Sequence, residues 1–518
     1  MFDVAFHPDR QGPAPIARQL ADHLAGLIAA GRLAAGSKLP ASREVATSLG
    51  VARNTVTAAY EMLATRGLVT AHVGQGTFVA VATRGPAAPA AATPREFAWD
   101  GLLARSARLR LPDMLLRSES GPPLPFDFRG GRVEPSLLPA ADLRWAFARP
   151  FQQRARLAAL AGHADAHGWP PLREEIARHL AGRGLACDAA DVAVVGGLQH
   201  AIDLVAGLLV EPGDAVVVEQ PGYFGATLAF AGRGADLLGV EVDDEGLRTD
   251  RLARVLRLRR PKLVYVTPAT QSPTGVALSP ARRAELLALA DEHQVPIFED
   301  DYDSDLRYRG PALPALKASD PAGQVIYAGT FSKILFPGLR VGYVVAARPL
   351  LARLVTMRWR ADFGGGVVEQ AALATLLTTR GLDRHLRRVR RLYAERLEVL
   401  ASTLARTMPP GVRWRAPASG HHLWVGLPAG VDPDALHEAA RARGVAYTRG
   451  EVFFADGRGG DQLSLAFSAL DAAAIREGVG RLAAVLRSLL PAGARATSRR
   501  AAHRPAAHTP TRRRHGAH

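Results

Sequence analysis

Lysine occurs only at Lys38, Lys262, Lys317 and Lys333 in a chain with 65 basic residues, so arginine is its ordinary cation. A lysine in that background is a candidate for chemistry that a guanidinium cannot do: losing its proton and condensing with a carbonyl. Lys333 lies in YAGTFSKILFPGLRVGY (327–343), just after Thr330 and Ser332 and seven residues before Arg340. Hydroxyls and a guanidinium can grip a phosphate, so the spacing points to a phosphorylated carbonyl compound carried on the lysine.

Four more stretches fit the same compound. VAVVGGLQHAID (192–203) reads as a strand passing through Gly196 and Gly197 into a helix whose first amides, near Leu198 and Gln199, suit a phosphate. EQPGYFGA (219–226) follows a strand and offers Tyr223 to stack on a planar ring. TPATQSPTGV (267–276) is a loop shaped by proline and glycine after the strand KLVYV. VPIFEDDYDSDLRY (295–308) ends a buried strand in consecutive acids beside Tyr302. A carboxylate there can keep a pyridine nitrogen protonated, which makes the ring an electron sink, and the tyrosine can bond a ring hydroxyl. Asp300 is the first candidate, with Asp301 and Glu299 as alternatives. Together the five stretches describe a site for pyridoxal 5′-phosphate, and none suggests a metal site.

The elements that must position these residues are apolar strands alternating with helical periods from 126 to 490, which predicts an α/β domain with a mostly parallel sheet. Before it, residues 12–80 form a smaller domain. Ile16, Leu20, Leu24 and Ile28 recur every fourth residue as one helical face. Ser42 is the expected N-cap of a short helix through Val45, Ala46 and Leu49, stopped by Gly50; a longer helix starts near Asn54. LVTAHV, GQG and TFVA then form a hairpin. The order predicts a winged helix-turn-helix, in which the second helix enters the DNA major groove. Arg53, Asn54 and Thr55 would face base edges, Lys38 and Arg43 would reach phosphates, and Gly76 would let the wing backbone approach the duplex. Residues 81–125 read as a linker, with a short amphipathic piece near Leu102–Leu116, and 491–518 as a basic disordered tail.

The net charge of +16 does not establish DNA binding by itself, because the segment after Pro491 carries seven arginines and no acid. A single cysteine, Cys187, excludes a disulfide framework. The N-terminus lacks the pattern of a signal peptide, and no apolar run is long enough to span a membrane, so a cytoplasmic protein is expected.

The run LPASREVATSLGVARNTVTAAYEMLATRGLVTAHVGQGTFVA resembles the reader head of the GntR superfamily. That resemblance makes Arg43, Arg53, Thr55 and Gly76 the expected DNA contacts. The five body stretches, in their order, resemble fold-type I pyridoxal phosphate enzymes of the aspartate aminotransferase superfamily. The resemblance implies Lys333 as the Schiff-base lysine, Asp300 as pyridinium partner, Tyr302 as ring-hydroxyl partner and Tyr223 as stacking aromatic. Gly197, Leu198, Gln199, Thr330, Ser332 and Arg340 would surround the phosphate. Joined, the halves resemble the MocR/GabR family, in which a GntR-type head is fused to an aminotransferase-like body that senses ligands, usually as a homodimer on a double-stranded operator.

Two departures stand out. Ser464, in LSLAF (463–467), occupies the place where aminotransferases carry the arginine for a substrate carboxylate, and Thr227 stands where an arginine often follows the stacking aromatic. Each lost charge-assisted contact is worth roughly 1.5–3 kcal/mol. Arg449, His421 and His422 are candidate substitutes. The expected function is a regulator that senses pyridoxal phosphate, an amine or an amino acid. An active aminotransferase with an appended DNA-binding head is the alternative, and a cofactor-free scaffold the third.

Overall fold

The computed structural model describes residues 6–81 except 73, residues 99–104 and 107, and residues 124–490 except 131, 153, 163 and 164. Most of the segment expected as a linker, including most of its amphipathic piece, and the whole C-terminal tail lie outside the described residues. The chain divides into two compact units, Met1–Trp99 and Asp100–His518.

In the first unit, α1 (Ile16–Ala29), α2 (Ser42–Leu49) and α3 (Arg53–Thr65) precede β1 (Val69–His72) and β2 (Gly76–Val79), which pair antiparallel. Leu20, Leu24, Val45, Val56, Ala59 and Leu63 meet in one small core with Val69 and Val79 of the hairpin. Gly50 ends α2 at φ 59°, the left-handed conformation that a glycine adopts without strain. The cap differs from the sequence expectation. Ala41 is the N-cap and Ser42 the first helical residue, because the Glu44 carboxylate reaches back to accept the Ala41 amide at 3.3 Å. Tyr60 on α3 donates to the Pro40 carbonyl at 2.9 Å, tying the helix to the loop before α2.

The second unit is built on an eight-stranded sheet, ordered β4 (Val192–Val195), β11 (Gly342–Val345), β10 (Val325–Thr330), β9 (Ile297–Asp301), β8 (Leu263–Val266), β5 (Ala215–Gln220), β6 (Asp236–Asp243), β7 (Gly246–Leu247). Its central pairs, β10 with β9, β9 with β8, β8 with β5 and β5 with β6, are parallel; β11 and β7 are antiparallel to their neighbours. Val216, Val218, Tyr265, Phe298 and Ile326 pack on one face, and Val217, Val264, Val266, Ile297 and Val325 on the other. Burial on both faces is why these strands read as continuous apolar runs. A second sheet is ordered β12 (Arg413–Trp414), β13 (His422–Gly426), β15 (Gln462–Ala466), β14 (Val445–Arg449), β3 (Phe126–Phe128). It packs with the helices Gly381–Thr407 and Ala472–Leu489 around Phe128, Tyr393 and Phe467. Among the described residues, no helix is long and apolar enough to cross a membrane.

Candidate functional site

In the first unit, Arg43, Arg53 and Asn54 are exposed at the starts of α2 and α3, with Thr55 half-buried behind them. The Arg53 Nε approaches the Ser42 hydroxyl at 3.5 Å, so the two helix N-termini lie side by side. Lys38 forms an isolated bridge to Phe78, its amine stands 5.8 Å from the Phe78 ring, and its stem runs beside Gly76. Loop, wing and helix starts thus offer positive charge and exposed backbone from one rigid core, the arrangement that a duplex backbone requires.

In the second unit, a cavity of about 300 Å³ opens at the ends of the sheet strands. Leu198, Gln199, Tyr223, Asp300, Tyr302, Thr330, Ser332, Lys333 and Arg340 all line it. These residues span more than 140 positions of sequence and converge because parallel strands deliver their C-terminal ends to one edge. Lys333 follows β10 and is close enough to Asp300, His421 and His422 to bias their ionisation.

The alternation of β9 separates the three candidate acids. Phe298 and Asp300 share the face toward the cavity, while Glu299 and Asp301 point the other way. Glu299 accepts the amides of Leu316 (2.7 Å) and Lys317 (2.9 Å). Asp301 accepts from Arg183 at 2.6 Å and Tyr327 at 2.5 Å. Burial works against its charge, but Arg183 and these donors outweigh it and hold the carboxyl below its usual range. Asp300 is different. Burial pushes it up to about 8, although Tyr265 donates to one oxygen, and its other oxygen has no partner.

The cavity fits pyridoxal phosphate on these observations. Asp300 Oδ1 and the Tyr302 hydroxyl are buried without a hydrogen-bond partner of good geometry, one an acceptor and one a donor. Gly197 sits at φ 93°, and a Cβ there would stand 2.7 Å from the Arg340 guanidinium, which bonds the Gly196 carbonyl at 2.8 Å. A side chain at Gly197 would fill the cup formed by Arg340, Thr330, Ser332 and the N-terminus of the helix Leu198–Leu209. The Tyr223 hydroxyl meets Gln199 at 3.3 Å, and Gln199 also holds the Gly225 carbonyl at 2.8 Å, which fixes the aromatic at the rim. When bound, the cofactor would supply an electron sink; Lys333 would carry it, Asp300 would face its ring nitrogen and the glycine cup its phosphate.

The candidate substitutes for a carboxylate arginine divide. His421 and His422 line the cavity. Arg449 does not, because its guanidinium is taken by Asp434 at 2.6 Å and Glu451 at 2.5 Å. Ser464 lines the cavity, whereas Thr227 lies inside the helix Phe224–Gly232 and its hydroxyl donates to the Tyr223 carbonyl at 3.5 Å. Sequence reasoning did not single out Ser272, Phe224, Thr448, Phe453, Pro337 or Gly130 on the wall, nor Tyr265 behind Asp300. Alternation would have placed Tyr265, on the strand next to that of Asp300, on the same face of the sheet.

The fold and cavity define a two-part chain: a winged helix-turn-helix head and an aminotransferase-type body built around a lysine. Residues 16–79 match the family of bacterial regulatory proteins, gntR family, and residues 146–482 match aminotransferase class I and II. The chain is 32% identical over 498 residues to a probable rhizopine catabolism regulatory protein, MocR, of Rhizobium meliloti, covering 94% of this chain and 97% of that protein. It is 33% identical to the HTH-type transcriptional regulator TauR of Rhodobacter capsulatus, covering 89% and 94%. The structure of a kynurenine aminotransferase from Pyrococcus horikoshii matches with a TM-score of 0.71 and 31% identity, over 76% of this chain and 99% of that one. The chain belongs to the MocR/GabR-type transcriptional regulators, in which a gntR-family head is joined to a class I/II aminotransferase-like body.

Proposed function

We propose that this regulator holds pyridoxal 5′-phosphate on Lys333 and sets its operator affinity by whether the cavity contains the cofactor alone or the cofactor with an amine. The observation that carries the reading is the cavity's division of labour. One wall carries Lys333, Asp300, Tyr302, Thr330, Ser332 and Arg340, which supports cofactor binding there, and the wall bearing Ser464 has no arginine to grip a carboxylate among its described residues. The body would act as a homodimer and as the two-state element, each ligand stabilising one state by its differential affinity. Arg53, Asn54 and Thr55 would read bases, while Lys38, Arg43 and the wing at Gly76 would hold phosphates. Steady transamination is the competing reading. The kinship with aminotransferases supports it, and Ser464 opposes it. Operator affinity of the full chain, measured while pyridoxal phosphate and then a panel of amines are titrated, tests the proposal. A ligand-dependent change is expected; an affinity indifferent to cofactor and to every amine would sink it.

A further inference from the structure

The two glycines that open the phosphate cup serve different neighbours. Gly197 takes φ 93° beside Arg340, whereas Gly196 makes room for His200. A Cβ at Gly196 would stand 3.0 Å from His200 Nδ1, tighter than ordinary contact, because the His200 side chain packs against that backbone. The Gly196 amide donates to His200 Nδ1 at 3.0 Å. That bond makes Nδ1 an acceptor, so the ring is neutral. Burial first, helped by the charges of Arg358 and Arg340, holds the imidazole below its usual value against the pull of Asp362 and Asp203. The other polar groups of the turn are also held. Arg340 bonds the Gly196 carbonyl at 2.8 Å, and the Gly197 amide bonds the Val195 carbonyl at 2.8 Å. The amides of His200 and Ala201 bond the Gly197 carbonyl at 3.1 and 3.2 Å, which leaves those of Leu198 and Gln199 for a phosphate.

His200 is the third residue of the helix Leu198–Leu209. In a capping box that position bears a glutamate or glutamine, whose side chain reaches back to accept the N-cap amide. His200 does the same one residue earlier, at Gly196. A glutamate in its place would satisfy the amide and bring a negative charge to a helix start that must hold an anion. It would repel the phosphate and compete with it for Arg340. The imidazole accepts the same amide without the charge.

We infer that His200 is a positioning residue for the cofactor's phosphate: as an uncharged acceptor it fixes the Gly196–Gly197 turn where a carboxylate would drive the anion away. This rests on the cofactor-binding reading above, with the phosphate in the glycine cup.

The test titrates the full chain, and its His200→Gln, His200→Glu and His200→Leu variants, with pyridoxal phosphate and with pyridoxal, which has the same ring and no phosphate. Visible absorbance gives both affinities, and their ratio is each protein's preference for the phosphorylated form. Glutamine supplies an uncharged acceptor and is expected to keep the wild-type preference within about twofold. Glutamate supplies an acceptor with a charge. It is expected to cut the preference at least about tenfold while pyridoxal affinity stays within about twofold of wild type. Leucine, which has no acceptor, is expected to fall between them. Pyridoxal binding shows that each variant is folded, and if His200→Glu is not, the contrast of glutamine with leucine still decides. A wild-type preference in His200→Glu overturns the inference, as does His200→Gln losing as much as His200→Glu, or His200→Leu losing nothing. A wild-type protein that binds neither compound, or both equally, strikes instead at the reading beneath it, and takes this inference down with it.

Discussion

The head and the body place their working residues in opposite environments. Arg43, Arg53 and Asn54 are exposed on helix starts, within a dozen residues of one another. Lys333's neighbours Asp300, Tyr302, Thr330, Ser332, His421 and His422 are all at least nine-tenths buried, and they come from strands and loops far apart in sequence. The head can present its chemistry from a core of a dozen or so side chains because its ligand supplies the opposite charge and the water stays. The body must first exclude water, and that exclusion sets the protonation of each group it uses. Changes in the head should therefore act locally on one contact, while changes in the body should shift several groups together.

The largest expected effect on DNA tests the local side of that contrast. Arg53→Ala should weaken the preferred operator by about 1–3 kcal/mol and relax specificity at one base pair, leaving cofactor binding unchanged. Arg43→Ala should weaken all sequences alike and reduce the salt dependence by about one counterion. Competition binding at several salt concentrations separates the two, and a sequence-independent loss for Arg53→Ala would contradict its assignment.

In the body, Gly197→Ala should lower pyridoxal phosphate affinity by at least about tenfold. Its methyl would press on Arg340 from a backbone conformation that alanine rarely adopts. Absorbance titration reads the affinity, and a wild-type value would mean that the cup is not where the phosphate binds.

A pH series sharpens the comparison further. Burial holds Asp300 at about 8, and Glu299 and Glu219 each at about 7. Unfolded, all three ionise near pH 4. Between those values the unfolded chain has lost protons that the folded body keeps on these three acids, so their contribution to cofactor-free stability falls as pH rises through that window. Asp300→Asn removes one such proton and should make the decline shallower by about 1.4 kcal/mol per pH unit between about pH 5 and 7. Thermal midpoints across that range check it; parallel declines would show that Asp300 is already ionised. The smallest effect belongs to the head. Ala41→Ser places a hydroxyl at a helix cap that now has none and should stabilise the head by about 0.5–1 kcal/mol, a rise in its melting temperature.

How much of this was legible in sequence follows the same division. The head was readable nearly residue by residue, because helix faces, Gly50 and the hairpin are local signals. Only the cap of α2 misled, since Glu44 reaches back to Ala41 and makes a serine cap unnecessary. In the body, the five stretches and their order were visible, but the choice among Glu299, Asp300 and Asp301 depends on which face of β9 is buried against what. That face is set by Arg183 and Tyr327, well away in sequence, which claim Asp301. Arg449 was a reasonable substitute by position, yet Asp434 and Glu451 engage it. The roles of Thr448 and Tyr265 emerge only from strand register and sheet order, which no local pattern encodes.

The central claim is that Lys333 carries the cofactor on which the body's sensing depends. The visible spectrum of the purified chain with added pyridoxal phosphate, recorded beside Lys333→Ala, tests it most directly. The account predicts a visible band that borohydride abolishes in the wild type and that never forms in Lys333→Ala. The same band in both proteins, or in neither, would contradict it.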